Sequence, residues 1–201
     1  MNKPNEVVLR AEEGGVVSAG DNGVAIGGTR SKVKAQQYGI ACAGDYGEAQ
    51  AAFMGFASAG DHGKAETGDY GTAAAGYNGV ASAGNWGTAT AENWGKVSAG
   101  NYGVSSAGYM GTAEAGEHGT AVSYFSSSVG RNGVAVVRGW RGFGCRIRGE
   151  TGAVLVFLEE DRNDGNRVLG WSAVRVDGEK IRSGRWYRFE NGAFEEIGEN
   201  E

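Results

Sequence analysis

From Ser18 onward, small apolar and polar residues recur in blocks of eight: SAGDNGVA, IGGTRSKV, KAQQYGIA, CAGDYGEA and so on to EAGEHGTA and VSYFSSSV. The consensus is x-A-G-x-x-G-x-A, in register and without insertion, and RAEEGGVV at Arg10–Val17 is a degenerate copy. Each octad reads as a four-residue strand followed by a four-residue turn. In Thr88-Ala89-Thr90-Ala91 the side chains alternate, so the two alanines share one face and the two threonines the other. The Ala column is the interior. In Gly84-Asn85-Trp86-Gly87 the two glycines supply the positive-φ or crowded positions that a sharp corner needs.

Eight residues cannot close a coil around a core, whereas sixteen can, as two strands and two corners. Sorting the outward positions with a period of sixteen separates them by chemistry. One strand set presents Val24/Ile26, Ile40/Cys42, Phe56/Ser58, Thr72/Ala74, Thr88/Thr90, Val104/Ser106 and Thr120/Val122. The other presents Lys32/Lys34, Glu48/Gln50, Lys64/Glu66, Val80/Ser82, Lys96/Ser98 and Thr112/Glu114. All the Lys and Glu fall on the second set. The spacing predicts an all-β fold, a flattened two-sheet β-solenoid with about sixteen residues per coil. An array of about seven coils, each about 4.8 Å thick, would be about 35 Å long. The fifth octad position forms two edge columns. One runs Asn22, Tyr38, Met54, Tyr70, Trp86, Tyr102 and His118, the other Arg30, Tyr46, His62, Asn78, Trp94, Met110 and Ser126. Both read as edge packing.

An open solenoid needs caps, because its terminal strands expose unpaired edges. Residues 1–17 read as an N-terminal cap and first degenerate coil, in which Val7, Val8, Leu9, Val16 and Val17 replace Ala. Residues 18–129 are the octapeptide solenoid. Over 130–158 the glycine motif restarts two residues early and then recurs at longer spacings, as expected of looser coils with a wider interior. Turns at Asp164-Gly165, Asp177-Gly178 and Asn191-Gly192 divide residues 159–201 into short strands, the last two a hairpin. That segment reads as a β-meander cap or a self-association module.

Composition supports a fold over a linker. Gly accounts for 38 of 201 residues and Pro for one, but the glycines sit in fixed columns without a G-X-Y triplet. The net charge of −5 is uneven. Residues 1–130 carry seven Lys/Arg against twelve Asp/Glu, and the remainder twelve against twelve, with eleven of the thirteen Arg in that second part. Nucleic acid is not an expected partner of such a chain. Cys42 and Cys145 make neither a disulfide framework nor a zinc signature. The opening MNKPNEVVLR lacks an apolar core and no apolar run approaches about 18 residues, so a cytoplasmic protein with no membrane contact is expected.

The AG-x-x-G-x-A octads resemble long octapeptide arrays in bacterial and phage proteins without an assigned function. More loosely, they resemble the sixteen-residue repeats of ice-nucleation proteins, which are taken to be β-solenoids. The stretch VRVDGEKIRSGRWYRFENGAFEEI is similar to the tail that closes such phage and prophage arrays. The resemblance implies architecture and a phage or bacterial setting, with the host cytosol as location if phage-encoded. It carries no catalytic residue.

No chemistry converges in the sequence. His62 and His118 lie on opposite edges, the turn aspartates do not form the regular columns of calcium β-rolls, and no helix follows any GxxG. No catalytic residue, cofactor or metal is therefore expected, and the protein is read as a non-enzyme. Two candidate contact surfaces remain. The first is the uncharged face made by Val24, Ile26, Ile40, Cys42, Phe56, Thr72, Thr88, Thr90, Val104, Thr120 and Val122. A flat face of this length is expected to be covered, with a homodimer favoured over an ice-binding plane, because a Thr-x-Thr rung occurs only at Thr88 and Thr90. The second is the Arg-rich stretch Arg131, Arg138, Trp140, Arg141, Phe143, Arg146 and Arg148, where arginines and aromatics suit a protein partner. The function expected is that of a self-associating interaction protein that binds a bacterial host protein, for example to block a defence component. The alternatives are a structural fibre or assembly module, an ice-binding-like face, and an acidic DNA-mimic rod.

Overall fold

A computed structural model describes residues 8–140, 143–164, 167–190 and 192–198. The chain is all-β, with two parallel sheets stacked as a β-solenoid of about nine coils. The first sheet runs Val8–Ala11, Val24–Gly27, Ile40–Cys42, Phe56–Ala59, Thr72–Ala75, Thr88–Ala91, Val104–Ala107, Thr120–Ser123, Val134–Gly139 and Val154–Glu160. The second interleaves Val16–Ala19, Lys32–Ala35, Glu48–Ala51, Lys64–Thr67, Val80–Ala83, Lys96–Ala99, Thr112–Ala115, Ser126–Val129 and Arg146–Gly149. Successive coils pair with an offset of sixteen, as in Val24 to Ile40 to Phe56.

After Thr120 the coils change length. Thr120 pairs with Val134 and Thr112 with Ser126, a coil of fourteen, and Val134 then pairs with Val154, a coil of twenty. The short coil has only Tyr124 and Phe125 between its strands, which makes Ser126 a buried strand residue and not the edge residue expected from the octad count. The interior changes with it. Alanines fill the middle coils, while Val137, Ile147, Leu155 and Phe157 fill the last ones. The cap has two arms. Val168–Arg175 adds antiparallel to the first sheet, and the hairpin of Trp186–Glu190 and Ala193–Ile197 adds to the second. The turn residues Gly165 and Asn191 and the expected cap residue Val7 lie outside the described residues.

The turns work differently from the usual glycine corner. Positive φ is carried by the fifth octad residue, whatever it is: Tyr46 at 56°, His62 at 56°, Trp86 at 57° and Met110 at 57° are examples. A non-glycine residue there costs about 1–2 kcal/mol, and the turn geometry is that of a type II corner. The glycines are there because space is short. A Cβ on Gly63 would lie 2.7 Å from the Ala59 Cβ and 3.0 Å from the Gly47 carbonyl of the coil before. One on Gly84 would lie 2.6 Å from the Asp69 amide nitrogen.

Stacked hydrogen bonds offset the strain. The Tyr46 N–H donates to the Asp61 carbonyl of the next coil at 2.8 Å, and the His62 N–H to that of Tyr77 at 2.8 Å. The fourth octad residue adds a side-chain ladder. Asp45 Oδ1 accepts the Asp61 N–H at 2.9 Å, Asp61 Oδ1 accepts that of Tyr77 at 2.9 Å, and Asp69, Asn85 and Asn101 repeat the contact. The Asp and Asn in this column hold coil to coil, which is a structural reason for their recurrence. Asp61→Ala should lower stability by about 1 kcal/mol, as expected for an amide left without its acceptor on an exposed edge, and Asp61→Asn should restore it; denaturant unfolding measures both.

Candidate functional site

Two outward columns make up the face of the first sheet. One runs Val8, Val24, Ile40, Phe56, Thr72, Thr88, Val104, Thr120, Val134 and Val154, and ends on Arg175. The other starts at Arg10 and runs Ile26, Cys42, Ser58, Ala74, Thr90, Ser106, Val122, Val136, Val156 and Ala173. All eleven residues expected on the uncharged face therefore lie on one sheet, in register. The face is longer than the octads indicated, since Val134, Val136, Val154 and Val156 continue it beyond the array. Sequence reading missed its far end. Trp171 sits opposite Leu158 on the same side and is 73 % exposed. Its isolation outside any repeat left no periodic signal by which to place it.

The second sheet presents the charges, with both signs mixed along its columns. Lys32 pairs with Glu48 at 3.4 Å, Lys64 with Glu66 at 2.6 Å, and Gln50 Nε2 donates to Glu66 at 2.7 Å. The hydrogen bond from Lys64, and then that from Gln50, lowers the Glu66 carboxyl below its ordinary value. No long row of like charge forms on this sheet.

The arginine stretch does not form one patch. Arg131 lies at a turn, 3.8 Å from Glu150. Arg138 projects from the first sheet, its Nε donating to Glu160 Oε1 at 2.7 Å and its guanidinium 4.7 Å from the Tyr124 ring. Trp140 and Phe143 pack 4.3 Å apart at the edge, against Tyr109 and, through Phe143, Phe125. Arg146 and Arg148 stand on the second sheet, both within 4.7 Å of the Trp186 ring centroid. Arg141 lies outside the described residues.

The aromatic edge columns stack along the rod and stay exposed. Tyr70, Trp86, Tyr102 and His118 stack nearly parallel, with Trp86 and Tyr102 centroids 4.3 Å apart. Each ring has a neighbour on its face, yet Tyr70, Trp86 and Tyr102 remain about half exposed. Across the rod Arg30, Tyr46, His62 and Asn78 make the other column.

A cavity of about 160 Å³ lies at the wide end, lined by Trp140, Phe143, Cys145, Phe157, Arg188 and Phe189 among others. Burial pushes the Cys145 thiol up to about 12, and its sulfur lies 3.5 Å from the Tyr124 carbonyl. Burial also raises Cys42, which is half-buried on the uncharged face. Neither thiol is an activated nucleophile. In the native protein at pH 8 a thiol reagent should label Cys42 slowly and Cys145 only after unfolding, as absorbance of the released thiolate would show. Because folding raises the Cys145 thiol, the folded state holds its proton where the unfolded one loses it. Stability should therefore fall as pH rises above about 9. Among the described residues no group of three His, Cys, Asp or Glu could hold a metal ion, and no helix is long and apolar enough to cross a membrane.

The architecture defines a class: a two-sheet β-solenoid repeat protein with sixteen-residue coils and antiparallel terminal strands. No protein-family model, no curated protein and no solved structure matches the chain.

Proposed function

We propose that this chain is a non-catalytic interaction rod that self-associates and binds a protein partner through the uncharged face of its first sheet. The observation that carries the reading is the run from Val24 to Val156: two columns without a charged side chain on a sheet whose counterpart is studded with Lys and Glu. Uncharged faces of this size on a protein of mixed surface mark contact sites. About nine rungs of about 4.8 Å and a strand width of about 13 Å give a face of about 560 Å². A stable interface takes about 800 Å² of accessible surface from each partner, more than the flat footprint of this face. The face suits a partner that also reaches the rod's end, where Trp171 stands. The mixed signs on the second sheet do not favour the DNA-mimic reading, which needs a row of like charge.

The likeness of the octads and of the tail to phage and bacterial repeat proteins supports the finer reading. The partner is a bacterial host protein, and a defence component is the first class to test. Ile40→Lys with Thr88→Lys places charge on the face at half-exposed positions, and Val80→Lys places one on the opposite sheet as control. A host protein retained by wild type and by the Val80 variant, but lost with the face variant, is the expected result. Equal retention by all three would refute the face as the contact surface.

A further inference from the structure

The two sheets end in opposite ways. The second closes on the strand Ala193–Ile197, whose Glu195 and Glu196 are held by Arg188 at 3.4 Å and by Arg182 at 2.6 Å. Charges on a terminal strand discourage further pairing. The first sheet closes on Val168–Arg175, which has no charged residue before Arg175. One side of this strand pairs with Val154–Glu160, and among the described residues no strand pairs with the other. Trp171 is 73 % exposed on it and Leu169 53 %. A strand edge offers backbone N–H and C=O groups in a row, and only another strand satisfies such a row.

We propose that this edge pairs antiparallel with the same edge of a second copy about a two-fold axis, joining two rods end to end. The inference rests on the self-association in the functional reading and names its interface. Trp171, Ala173 and Arg175 face outward, opposite Leu158, Val156 and Val154. A two-fold axis perpendicular to the sheet keeps outward residues opposite outward residues, so it must pass through a residue and not between two. An axis through Trp171 would set the two indoles against each other and Arg175 against Arg167 of the second copy. An axis through Ser172 sets Trp171 against Ala173, which leaves room for the indole, and Arg175 beside Leu169, with no like charges opposed. The strand is thus self-complementary in size and charge in this register. Joined this way, the two uncharged faces lie side by side about the axis, displaced along the strands, with the Arg175 of each copy at the junction. The isologous contact uses both edges, so assembly stops at the dimer.

Sedimentation velocity of the full chain tests this. Wild type should be a dimer. Trp171→Lys with Ala173→Lys, both at exposed positions, should raise the dissociation constant at least about 30-fold, the effect of losing one interface anchor. Ile40→Lys with Phe56→Lys should leave the dimer intact. Amide hydrogen exchange gives a second readout that needs no variant: residues 168–175 of wild type should become more protected as the protein is concentrated. A dimer broken by the face substitutions and not by the edge pair would overturn the edge assignment while leaving self-association standing. A monomeric wild type, a growing polymer, or a dimer without that protection would also overturn it. Loss of partner binding in the face variants is a separate result, since it tests the functional reading alone.

Discussion

Gly63→Ala should cost the rod about 3 kcal/mol, and adding Ala59→Gly should return most of it. The new methyl would sit 2.7 Å from the Ala59 Cβ, with the Gly60 and Gly47 carbonyls at 2.9 and 3.0 Å. Overpacking of this kind costs about 1–3 kcal/mol. The upper end is expected here, because the backbone on every side is locked by coil-to-coil hydrogen bonds. In a chain of this size that is a fall in Tm of about 6–12 °C. The chain already contains the rescue. At Gly27 and Ser31 the small and larger residues exchange places: Ser31 is fully buried, and a Cβ on Gly27 would lie 2.2 Å from its hydroxyl. Gly149 and Ala153 repeat the exchange, with a clash distance of 2.7 Å. Each such corner has room for one side chain, supplied from either of two positions. The double variant should remain about 1 kcal/mol below wild type for the lost methyl and the freer unfolded backbone. Calorimetry or urea unfolding reads the cycle. If the double variant is as unstable as the single one, the carbonyls and not the Ala59 methyl set the limit.

Arg138→Met should destabilise the folded protein by about 3 kcal/mol, and Arg138→Met with Glu160→Leu should be close to wild type. Glu160 is 3 % exposed and Arg138 34 %. Two guanidinium nitrogens bond the same carboxylate oxygen, and the Tyr124 ring lies against the guanidinium. Removing the arginine leaves a buried carboxylate without its counter-charge, which costs about 3–5 kcal/mol in a dry site; the partial exposure of Arg138 moves the expectation to the lower end. Replacing both members by apolar groups removes the desolvation problem with the pair. Urea unfolding of the single and double variants checks the coupling. The result also controls any binding experiment. Weakened capture by an Arg138 variant has to be read against its stability, whereas Arg146 and Arg148, held on Trp186 with no carboxylate within ion-pair distance among the described residues, can be changed more safely.

The sixteen-residue coil, the two sheets and their unlike faces were legible in the sequence. They follow from two periodicities that the chain displays directly: alternation along a strand and recurrence of the octad. The edge columns of Tyr70, Trp86 and Tyr102 were legible for the same reason. The role of the glycines was only half visible. Composition suggested positive φ or crowding, and the structure shows crowding, with positive φ passed to Tyr, Trp, Met and His. The Asp/Asn column was legible as a turn feature but not as a ladder, because its partner is a backbone amide sixteen residues away. The arginine stretch looked continuous because its members are close in sequence. Strand alternation and the twenty-residue coil send them to the first sheet, the edge and the second sheet.

The sequence alone determined what repeats: the coil length, the alanine interior and the separation of uncharged from charged face, each a property of residues at a constant offset. The tertiary structure alone decided what happens where the repeat stops. It paired Arg138 with Glu160, divided the terminal strands between the two sheets, and left Trp171 on an edge that no described strand pairs. Beyond the array no period ties a residue to its neighbour in the next coil. Which side chains meet there depends on how the fourteen- and twenty-residue coils stack, and that is set by packing around Ile147, Leu155 and Phe157 rather than by local pattern.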